Sequence, residues 1–444
     1  MEREPLPIAE IAERCERLVR VSPADATIVT WLEGSRHQVV ESQRGRRAGS
    51  ESFRTVILRV RAGRRTGLAR AEAGSRGELE GALRQALSVA HAAPISSEWA
   101  WPPEERVTAD ETSLRDPELA ALTPAQLQER LKGMTANRVS VRSTWSDSRL
   151  LIAASGRPTR RVAFTDIVAE LRSGRRPGSG FAAGTARTLA RLDLDRLRER
   201  AQELEAKEVT EELPAAGTPA VLAPEAAAAL VDSLARELFS GRRFLNGEGP
   251  LANPAERRQF PGWFHLADDP TADDALPFPF DLDGIVRHRR ELVRDGELAG
   301  PALDLELASR CGRVSTAQGL ASDDAFPCHP RLGIGEHDES ELLGRADGGI
   351  RIGSVEGFRC FTGPGLPFAA VARSVRRIGP GGELGAALPP LQWRGRLLEL
   401  WTTVEGLGRK SVALESSALA VGMGAASAPA VLLREPGDFA PLVV

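Results

Sequence analysis

The sequence predicts an α+β fold, in which two N-terminal α+β regions precede a mostly antiparallel β C-terminal domain with one long helix. Two observations support this prediction. Up to about residue 210, runs rich in β-branched residues alternate with segments whose apolar residues recur at helical spacing, and helices of that kind usually cover one face of a sheet. After residue 240 the chain consists mainly of short apolar runs separated by glycine and proline, which is typical of strands and turns.

The first predicted region covers residues 1–95. Residues 1–20 have the pattern of an amphipathic helix. Strands are predicted over residues 26–33, 37–43, 55–62 and 67–71, with a turn at Gly34-Ser35 between the first two. Ser75 and Glu78 have the spacing of a capping box, which predicts that a second helix begins there and covers the strands.

The second predicted region covers residues 116–210. Thr123 followed by Pro124, with Gln126 at capping-box spacing, predicts the start of a helix. The remaining expected elements are strands over 139–145, 150–154 and 161–171, an exposed loop over 173–180, and a charged helix over 192–204. Residues 94–115 are expected to form a linker or covering loop, and the acidic, proline-containing stretch 205–218 is the predicted domain boundary.

The third predicted region covers residues 219–444. Pro224 and Glu225 in a first turn, with Gly241 beyond the end, predict one long helix from Pro224 to Phe239. Strands are predicted over residues 283–300, 348–361, 368–378, 395–404 and 410–433. Asp295-Gly296 has the composition of a two-residue hairpin turn. Because few helices are left to cover the apolar strands, we expect this region to meet a partner.

Composition excludes several functional classes. The net charge of −3 argues against binding to nucleic acid, which favours a basic surface, and no run of about 18 apolar residues is present to span a bilayer. The charged N-terminal stretch has no secretory signal pattern, and the four cysteines form no CxxC pair, so we expect a cytoplasmic protein with reduced thiols. The arginine-rich, tyrosine-free composition is attributed to a GC-rich bacterial genome.

Three motifs stand out in the C-terminal half: Ala267-Asp268-Asp269-Pro270, the PFDxxG stretch from Pro279 to Gly284, and the hairpin at Asp295-Gly296. Together they resemble the third region of the TldD/PmbA (TldD/TldE) family of metallopeptidase subunits. The resemblance covers most of the chain, although the first two regions match only in their order of elements. It implies the α+β architecture predicted above.

The resemblance also implies a zinc site, and here the chain departs from the family. Catalytic members carry His-Glu-x-x-x-His on the long helix, with a cysteine near the C-terminus, whereas this chain contains no such motif. Position by position, the two histidines fall on Asp232 and Glu237, the general-base glutamate falls on Ser233, and the late cysteine falls near Val412. We therefore predict no metal, no cofactor and no catalytic residue.

Asp232 and Glu237 could bind a cation through oxygen, but two carboxylates make a poor zinc site. The favoured interpretation is an i,i+4 ion pair between Asp232 and Arg236 on a solvated helix face.

Other chemically reactive residues give weaker signals. Cys328-His329 is more simply a loop cysteine with a neighbouring histidine than a nucleophilic pair, because such pairs normally meet across a fold. The segment 336–339 is expected to be a solvated acidic turn. Cys311 is expected to follow a strand as a small buried group. Trp393 and Trp401 are expected in the core or at an interface.

TldE-type members of the family lack the zinc motif and pair with a TldD subunit that has it. The resemblance therefore implies a non-catalytic TldE/PmbA-like subunit of a heteromeric zinc peptidase that acts on peptides or unfolded chains. Two alternatives stay open: a stand-alone peptide-binding protein, and a hydrolase with an unrecognised active site. The expected partners are a motif-bearing TldD-like subunit and a peptide substrate, with no nucleic acid and no membrane.

Overall fold

The structure, a computed structural model, describes residues 7–43, 45–72, 75–95, 98–105, 114–135, 138–174, 178–215, 217–253, 257–258, 260–320, 324–416, 419 and 421–442. The helices of these residues are α1 (Ile8–Val21), α2 (Arg76–Ala92), α3 (Pro117–Ala120), α4 (Pro124–Thr135), α5 (Leu194–Glu203), α6 (Pro224–Phe239), α7 (Gly241–Leu245), α8 (Leu305–Cys311), α9 (Glu339–Arg345) and α10 (Leu397–Thr402).

The N-terminal strands are β1 (Ala26–Ser42), β2 (Gly45–Ala62), β3 (Arg65–Ala71), β4 (Val139–Ala154), β5 (Arg160–Ser173) and β6 (Gly180–Ala186). The C-terminal strands are β7 (Ala220–Leu222), β8 (Leu266–Asp268), β9 (Arg290–Arg294), β10 (Glu297–Leu298), β11 (Pro330–Leu332), β12 (Ile350–Ile352), β13 (Ser354–Cys360), β14 (Pro367–Arg373), β15 (Val375–Ile378), β16 (Leu384–Leu388), β17 (Leu391–Arg396), β18 (Val404–Glu415), β19 (Ala425–Leu433) and β20 (Asp438–Pro441). The α+β class predicted from the sequence is confirmed.

The N-terminal strands form one antiparallel sheet of six strands in the order β3-β2-β1-β4-β5-β6. Both predicted N-terminal regions contribute to it, because β1 pairs with β2 on one side and with β4 on the other. Helices α1 and α2 cover one part of the sheet around Trp31, and α4 covers another part around Trp145. The boundary between residues 95 and 116 therefore separates two halves of a shared sheet, and the domain limits stay a prediction.

The predicted turn at Gly34-Ser35 is wrong. Gly34 lies in the middle of the continuous strand β1, opposite Ser148 of β4. A Cβ atom at Gly34 would lie 2.5 Å from the carbonyl oxygen of Asp147, so the glycine permits close approach of two strands. The predicted break between residues 145 and 150 is also absent, because β4 runs through it.

The C-terminal region contains a ten-stranded sheet and a four-stranded sheet. The larger sheet has the order β10-β9-β8-β11-β19-β7-β12-β15-β16, with β18 also paired to β19, and the smaller one has the order β13-β14-β17-β20. Their pairing is antiparallel except between β11 and β19 and between β7 and β12. Helix α6 packs against β18 and β19, which places it in the largest hydrophobic cluster of the described residues.

The hairpin predicted at Asp295-Gly296 is confirmed. Both turn residues have positive φ angles, 51° at Asp295 and 77° at Gly296, as a type I′ turn requires. A Cβ atom at Gly296 would lie 2.1 Å from the carbonyl oxygen of Phe260. Glycine is therefore needed at this position for two separate reasons.

Three C-terminal predictions need correction. Residues 397–402 form helix α10 and not a strand, because Leu397, Leu400 and Trp401 share one buried helical face. A short apolar run does not by itself distinguish the two structures. Cys311 ends helix α8 and is half-buried. The predicted strand 283–300 shrinks to β9 and β10. At its start, the Asp281 carboxylate accepts the backbone N–H groups of Asp283 and Ile285, so these groups do not pair with a strand.

The sequence suggests the apolar residues of segments 368–375 and 397–404 as an uncovered interface, but these residues are not exposed. Phe368, Ala370, Leu397 and Trp401 are buried in the main C-terminal cluster. Trp393 and Trp401 are each 0% exposed, which confirms the core placement expected for them. No helix in the described part of the chain is both long and apolar enough to cross a membrane.

Buried ion pairs connect the N-terminal sheet to the C-terminal region. Arg59 of β2 donates from Nη1 to Asp283 at 2.6 Å, and its Nη2 atom lies 3.2 Å from Asp304. Burial raises the pKa of Asp283 to about 6, although the Arg59 charge opposes that shift. Losing one partner of such a buried pair leaves an uncompensated charge, so the contact couples the two regions energetically.

Candidate functional site

The long helix α6 forms the floor of the candidate site. Its first turn contains Pro224 and Glu225, which suit the N-terminus because proline needs no hydrogen-bond acceptor there and an acidic side chain favours the positive end of the helix dipole. Alanine, leucine and valine fill most of the buried positions that follow. The helix therefore packs tightly under β18 and β19, and its few polar residues lie in a largely apolar setting.

Two of the three helix positions of the expected zinc motif, Asp232 and Ser233, line a cleft, and the third, Glu237, does not. Asp232 is 6% exposed and accepts a hydrogen bond from Ser416 Oγ at 2.6 Å. Ser233 is also buried, and its hydroxyl donates to the carbonyl oxygen of Ala229, four residues earlier, at 3.1 Å. The solvated helix face predicted for Asp232 and Arg236 is wrong at Asp232, which is buried, whereas Arg236 is half-buried and lines the cleft.

Glu237 lies one turn further along α6 and is engaged by arginine. Its carboxylate forms an ion pair with Arg243, and the Nε atom of Arg236 lies 3.7 Å from its other oxygen. Glu237 is absent from the lining of the cleft that contains Asp232. The two carboxylates that stand where the family has histidines are therefore committed to different neighbours.

The cleft has a volume of about 330 Å³ and lies between α6, β13 and the end of β18. Its lining residues are Ala228, Ala229, Asp232, Ser233, Arg236, Val355, Gly357, Phe358, Leu414, Glu415 and Ala426. Val412, the position predicted for the late cysteine, lines a separate cavity of about 490 Å³. The β18 residues that line the cleft together with Asp232 are Leu414 and Glu415.

Sequence reasoning missed a pair of carboxyl groups, in which the half-buried Glu415 lines the cleft and the buried Asp166 is its neighbour. Burial, and then the neighbouring Asp166, raise the pKa of Glu415 to about 7. Burial likewise raises the pKa of Asp166, although a hydrogen bond from Ser146 opposes the shift. At neutral pH this pair can therefore retain a proton, as interacting carboxyl groups generally do.

Arg187, which follows the last strand of the N-terminal sheet, supplies a positive charge near the two carboxyl groups. Arg187 follows β6, is 4% exposed, and donates to the carbonyl oxygens of Thr165, Leu276 and Pro277. Burial lowers its pKa to about 10 while Asp166 and Glu415 act in the opposite direction. No local sequence signal could have found this cluster, because its members lie on β5, just after β6, and on β18.

Cys328 and His329 are buried and fill structural roles. Burial raises the pKa of the Cys328 thiol well above its ordinary value, so the thiol is not poised as a nucleophile. Burial, and then the Arg287 charge, lower the pKa of His329 to about 3. The neutral ring donates from Nε2 to the carbonyl oxygen of Leu276 and accepts at Nδ1 from Arg287.

The family motif at residues 267–270 supplies the partner for that arginine. Asp268 accepts from Arg287 Nη2 at 3.0 Å, from Gln318 Nε2 at 2.8 Å and from the backbone N–H of His329 at 2.7 Å. These charge-assisted bonds hold β8, β11 and the loop after residue 316 together. The motif that carried the resemblance is therefore a structural network in this chain.

The donor set near α6 does not fit zinc. Asp232, Ser233 and Glu237 offer no imidazole or thiolate, and each is already bonded to a protein group. Among the described residues, no group of three or more histidine, cysteine, aspartate or glutamate side chains is arranged to hold a metal ion.

The whole fold matches solved structures of low sequence identity. TldE from Thermococcus kodakarensis superposes with a TM-score of 0.79 at 19% identity, covering 96% of this chain and 100% of that one. A protein described as a modulator of a DNA gyrase, from Thermotoga maritima, gives 0.76 at 18% identity over 98% and 100% of the two chains. A similarly described protein from Bacteroides thetaiotaomicron gives 0.72 at 16% identity over 98% and 99%. A search of curated protein sequences finds no match.

These matches define a fold shared with TldE-like proteins. A sequence model of the PmbA/TldA metallopeptidase C-terminal domain matches residues 215–436, which is half of the 444-residue chain. The chain belongs to this family, and the resemblance found from its motifs is confirmed.

Proposed function

We propose that the chain is a non-catalytic, TldE-like subunit of a heteromeric zinc peptidase. One observation carries the proposal: the cleft over α6 holds Asp232 and Ser233 where catalytic members of the family have zinc-binding and general-base residues. In this role the chain pairs with a TldD-type subunit, closes the substrate chamber and stabilises its partner. The substrates are peptides or unfolded chains, and the assembly is cytoplasmic.

Reconstitution with the motif-bearing homologue from the same genome tests the proposal. We expect no peptide hydrolysis by the chain alone, because water needs a metal or an equivalent activator to attack an amide at neutral pH. We expect hydrolysis by the mixture, and its loss in the presence of a chelator. A mixture no more active than the homologue alone would contradict the subunit role.

The alternative of a hydrolase with its own site has one specific observation in its favour. Glu415 lines the cleft and has a pKa of about 7, which suits a general acid or base, and Asp166 lies beside it. The Glu415→Gln variant separates the two functions. If the isolated chain hydrolyses peptides in the presence of chelator and Glu415→Gln abolishes that activity, the hydrolase replaces the subunit. Glu383→Gln, at an exposed position, serves as the matched control.

The stand-alone peptide-binding protein differs from both in its expected behaviour. It would bind peptide without turnover, and the homologue would change neither its affinity nor its mass in solution. Fluorescence anisotropy with a labelled unstructured peptide, measured with and without the homologue, separates this alternative from the subunit.

A further inference from the structure

In the described part of the chain, no strand pairs with the outer edge of the first half of strand β2. Strand β3 pairs with β2 only from Val56 to Ala62, whereas β1 pairs with β2 down to Gly45. Among the described residues, no strand lies on the outer side of residues 45–55. All eight residues from 45 to 52 are exposed. This edge therefore offers a row of free backbone donors and acceptors for another strand.

The register of the sheet identifies which residues present these groups. Ala62 and Arg65 flank a two-residue turn, so they exchange hydrogen bonds, and the backbone groups of Ala62 point toward β3. Backbone direction alternates along a strand, and β2 pairs with β1 without a bulge. The backbone N–H and C=O groups of Arg46, Ala48, Ser50 and Ser52 consequently point outward.

The charges along this edge select one pairing. Residues 45–52 contain three charged residues, and Arg46 already forms an ion pair with Glu41 of β1. Arg47 and Glu51 have no ion pair among the described residues. They are four residues apart and so point to the same face of the strand.

We propose that β2 pairs antiparallel with β2 of a second copy of this chain, about a two-fold axis at Gly49. In this register Ala48 exchanges backbone hydrogen bonds with Ser50 of the partner copy, and Arg46 does so with Ser52. Arg47 lies opposite Glu51 of the other copy at both ends, and opposite charges at facing positions stabilise a strand pair. Moving the axis to Ser50 places Arg46 opposite Arg54, and moving it to residue 47 or 51 places like charges together.

The interface joins the two N-terminal sheets into one continuous sheet across the axis. It is independent of the proposed function, because β2 lies outside the α6 cleft and the pairing needs no second kind of subunit. A two-fold contact of this kind uses the same surface on both copies and closes without further growth.

Disulfide trapping tests the axis directly. A cysteine at position 49 would lie opposite the same position of the second copy. The two would form a non-hydrogen-bonded pair, in which the Cα atoms are about 4.5 Å apart and a disulfide can form. The change Gly49→Cys meets no atom within 4 Å of the new Cβ. We expect Gly49→Cys to give a covalent dimer on non-reducing gels and Ser52→Cys, on the same exposed strand, to give none.

Charge reversal provides a second, independent test. Arg47→Glu and Glu51→Arg each create like-charged pairs, so each variant alone should show at least about a tenfold weaker dimer by sedimentation, equivalent to roughly 1.4 kcal/mol. An equimolar mixture of the two variants should dimerise again, because every facing pair is then of opposite charge. Equal cross-linking at positions 49 and 52, or variants that dimerise like the natural chain, would overturn the proposal.

Discussion

At the scale of single residues, the zinc content of the chain depends on the side chains that replace the family's zinc motif. These are Asp232, Ser233 and Glu237. We expect the purified chain to retain well under one equivalent of zinc after dialysis, because none of these residues supplies nitrogen or sulfur. Elemental analysis measures it, with the motif-bearing homologue as the positive control.

The triple variant Asp232→His, Ser233→Glu, Glu237→His restores the helix motif and should gain zinc if the assignment of positions is right. A natural chain holding one zinc that is lost in the Asp232→Ala, Glu237→Ala variant would contradict the expectation.

Glu415 makes stability depend on pH. Its pKa in the folded chain is about 7, raised from an ordinary 4.5, so the folded state binds the proton more tightly than the unfolded state does. The contribution of Glu415 to the free energy of unfolding is therefore fully present at low pH, and it is lost as the pH rises from about 4.5 to about 7.

We expect Glu415→Gln to raise the free energy of unfolding above pH 7, by on the order of 1–3 kcal/mol, and to change it little near pH 4. Urea unfolding at both pH values measures the effect. The exposed substitution Glu383→Gln is the control, and a gain that does not depend on pH would argue against a Glu415 that is protonated in the folded chain.

At the scale of elements, the packing of helix α2 on strand β3 depends on Gly67. A Cβ atom there would lie 2.0 Å from the carbonyl oxygen of Ala86 and 2.4 Å from the nitrogen of Ala90. Because both atoms belong to the helix backbone, Gly67→Ala must displace the whole helix. We expect a loss of about 2–3 kcal/mol in the free energy of unfolding.

Gly81 is the matched control, since it lies within the same helix and its Cβ would meet only Arg84, at 3.8 Å. Gly81→Ala should stabilise the chain by about 0.5–1 kcal/mol through helix propensity. Thermal or urea unfolding of the two variants gives the comparison. Equal effects would show that α2 does not pack on β3 as described.

At the scale of the whole molecule, the subunit proposal predicts association with the motif-bearing homologue. Family membership is the reason for this expectation, since the apolar residues of segments 368–375 and 397–404 are not exposed. Such a complex should bury more than about 1,000 Å² of surface.

Size-exclusion chromatography with light scattering, at micromolar concentration and with each protein alone as reference, measures the mass of the complex. A chain whose mass is unaffected by the homologue would favour the stand-alone binding protein. The Arg47→Glu variant shows whether self-pairing and the heteromeric contact share a surface, since its binding to the homologue is unchanged only if the outer edge of β2 lies outside that contact.

The sequence by itself determined the features that depend on local chemistry. The capping boxes at Ser75 and Thr123, the limits of α6 and the turn at Asp295-Gly296 all follow from neighbouring residues, and each is present in the structure. The family motifs and the missing zinc motif are likewise properties of the sequence. Strand continuity at Gly34 was not predictable, since the reason for that glycine is Asp147, which lies on another strand.

Only the tertiary structure decided how distant residues meet. It brought Asp166 and Arg187 of the N-terminal region against Glu415 of the C-terminal region, and it buried Asp232 beside Ser416. Among the described residues, it also left the first half of β2 without a neighbouring strand on its outer side. The physical reason is that burial and pairing depend on which elements pack together, and these contacts join residues separated by more than a hundred positions in the chain.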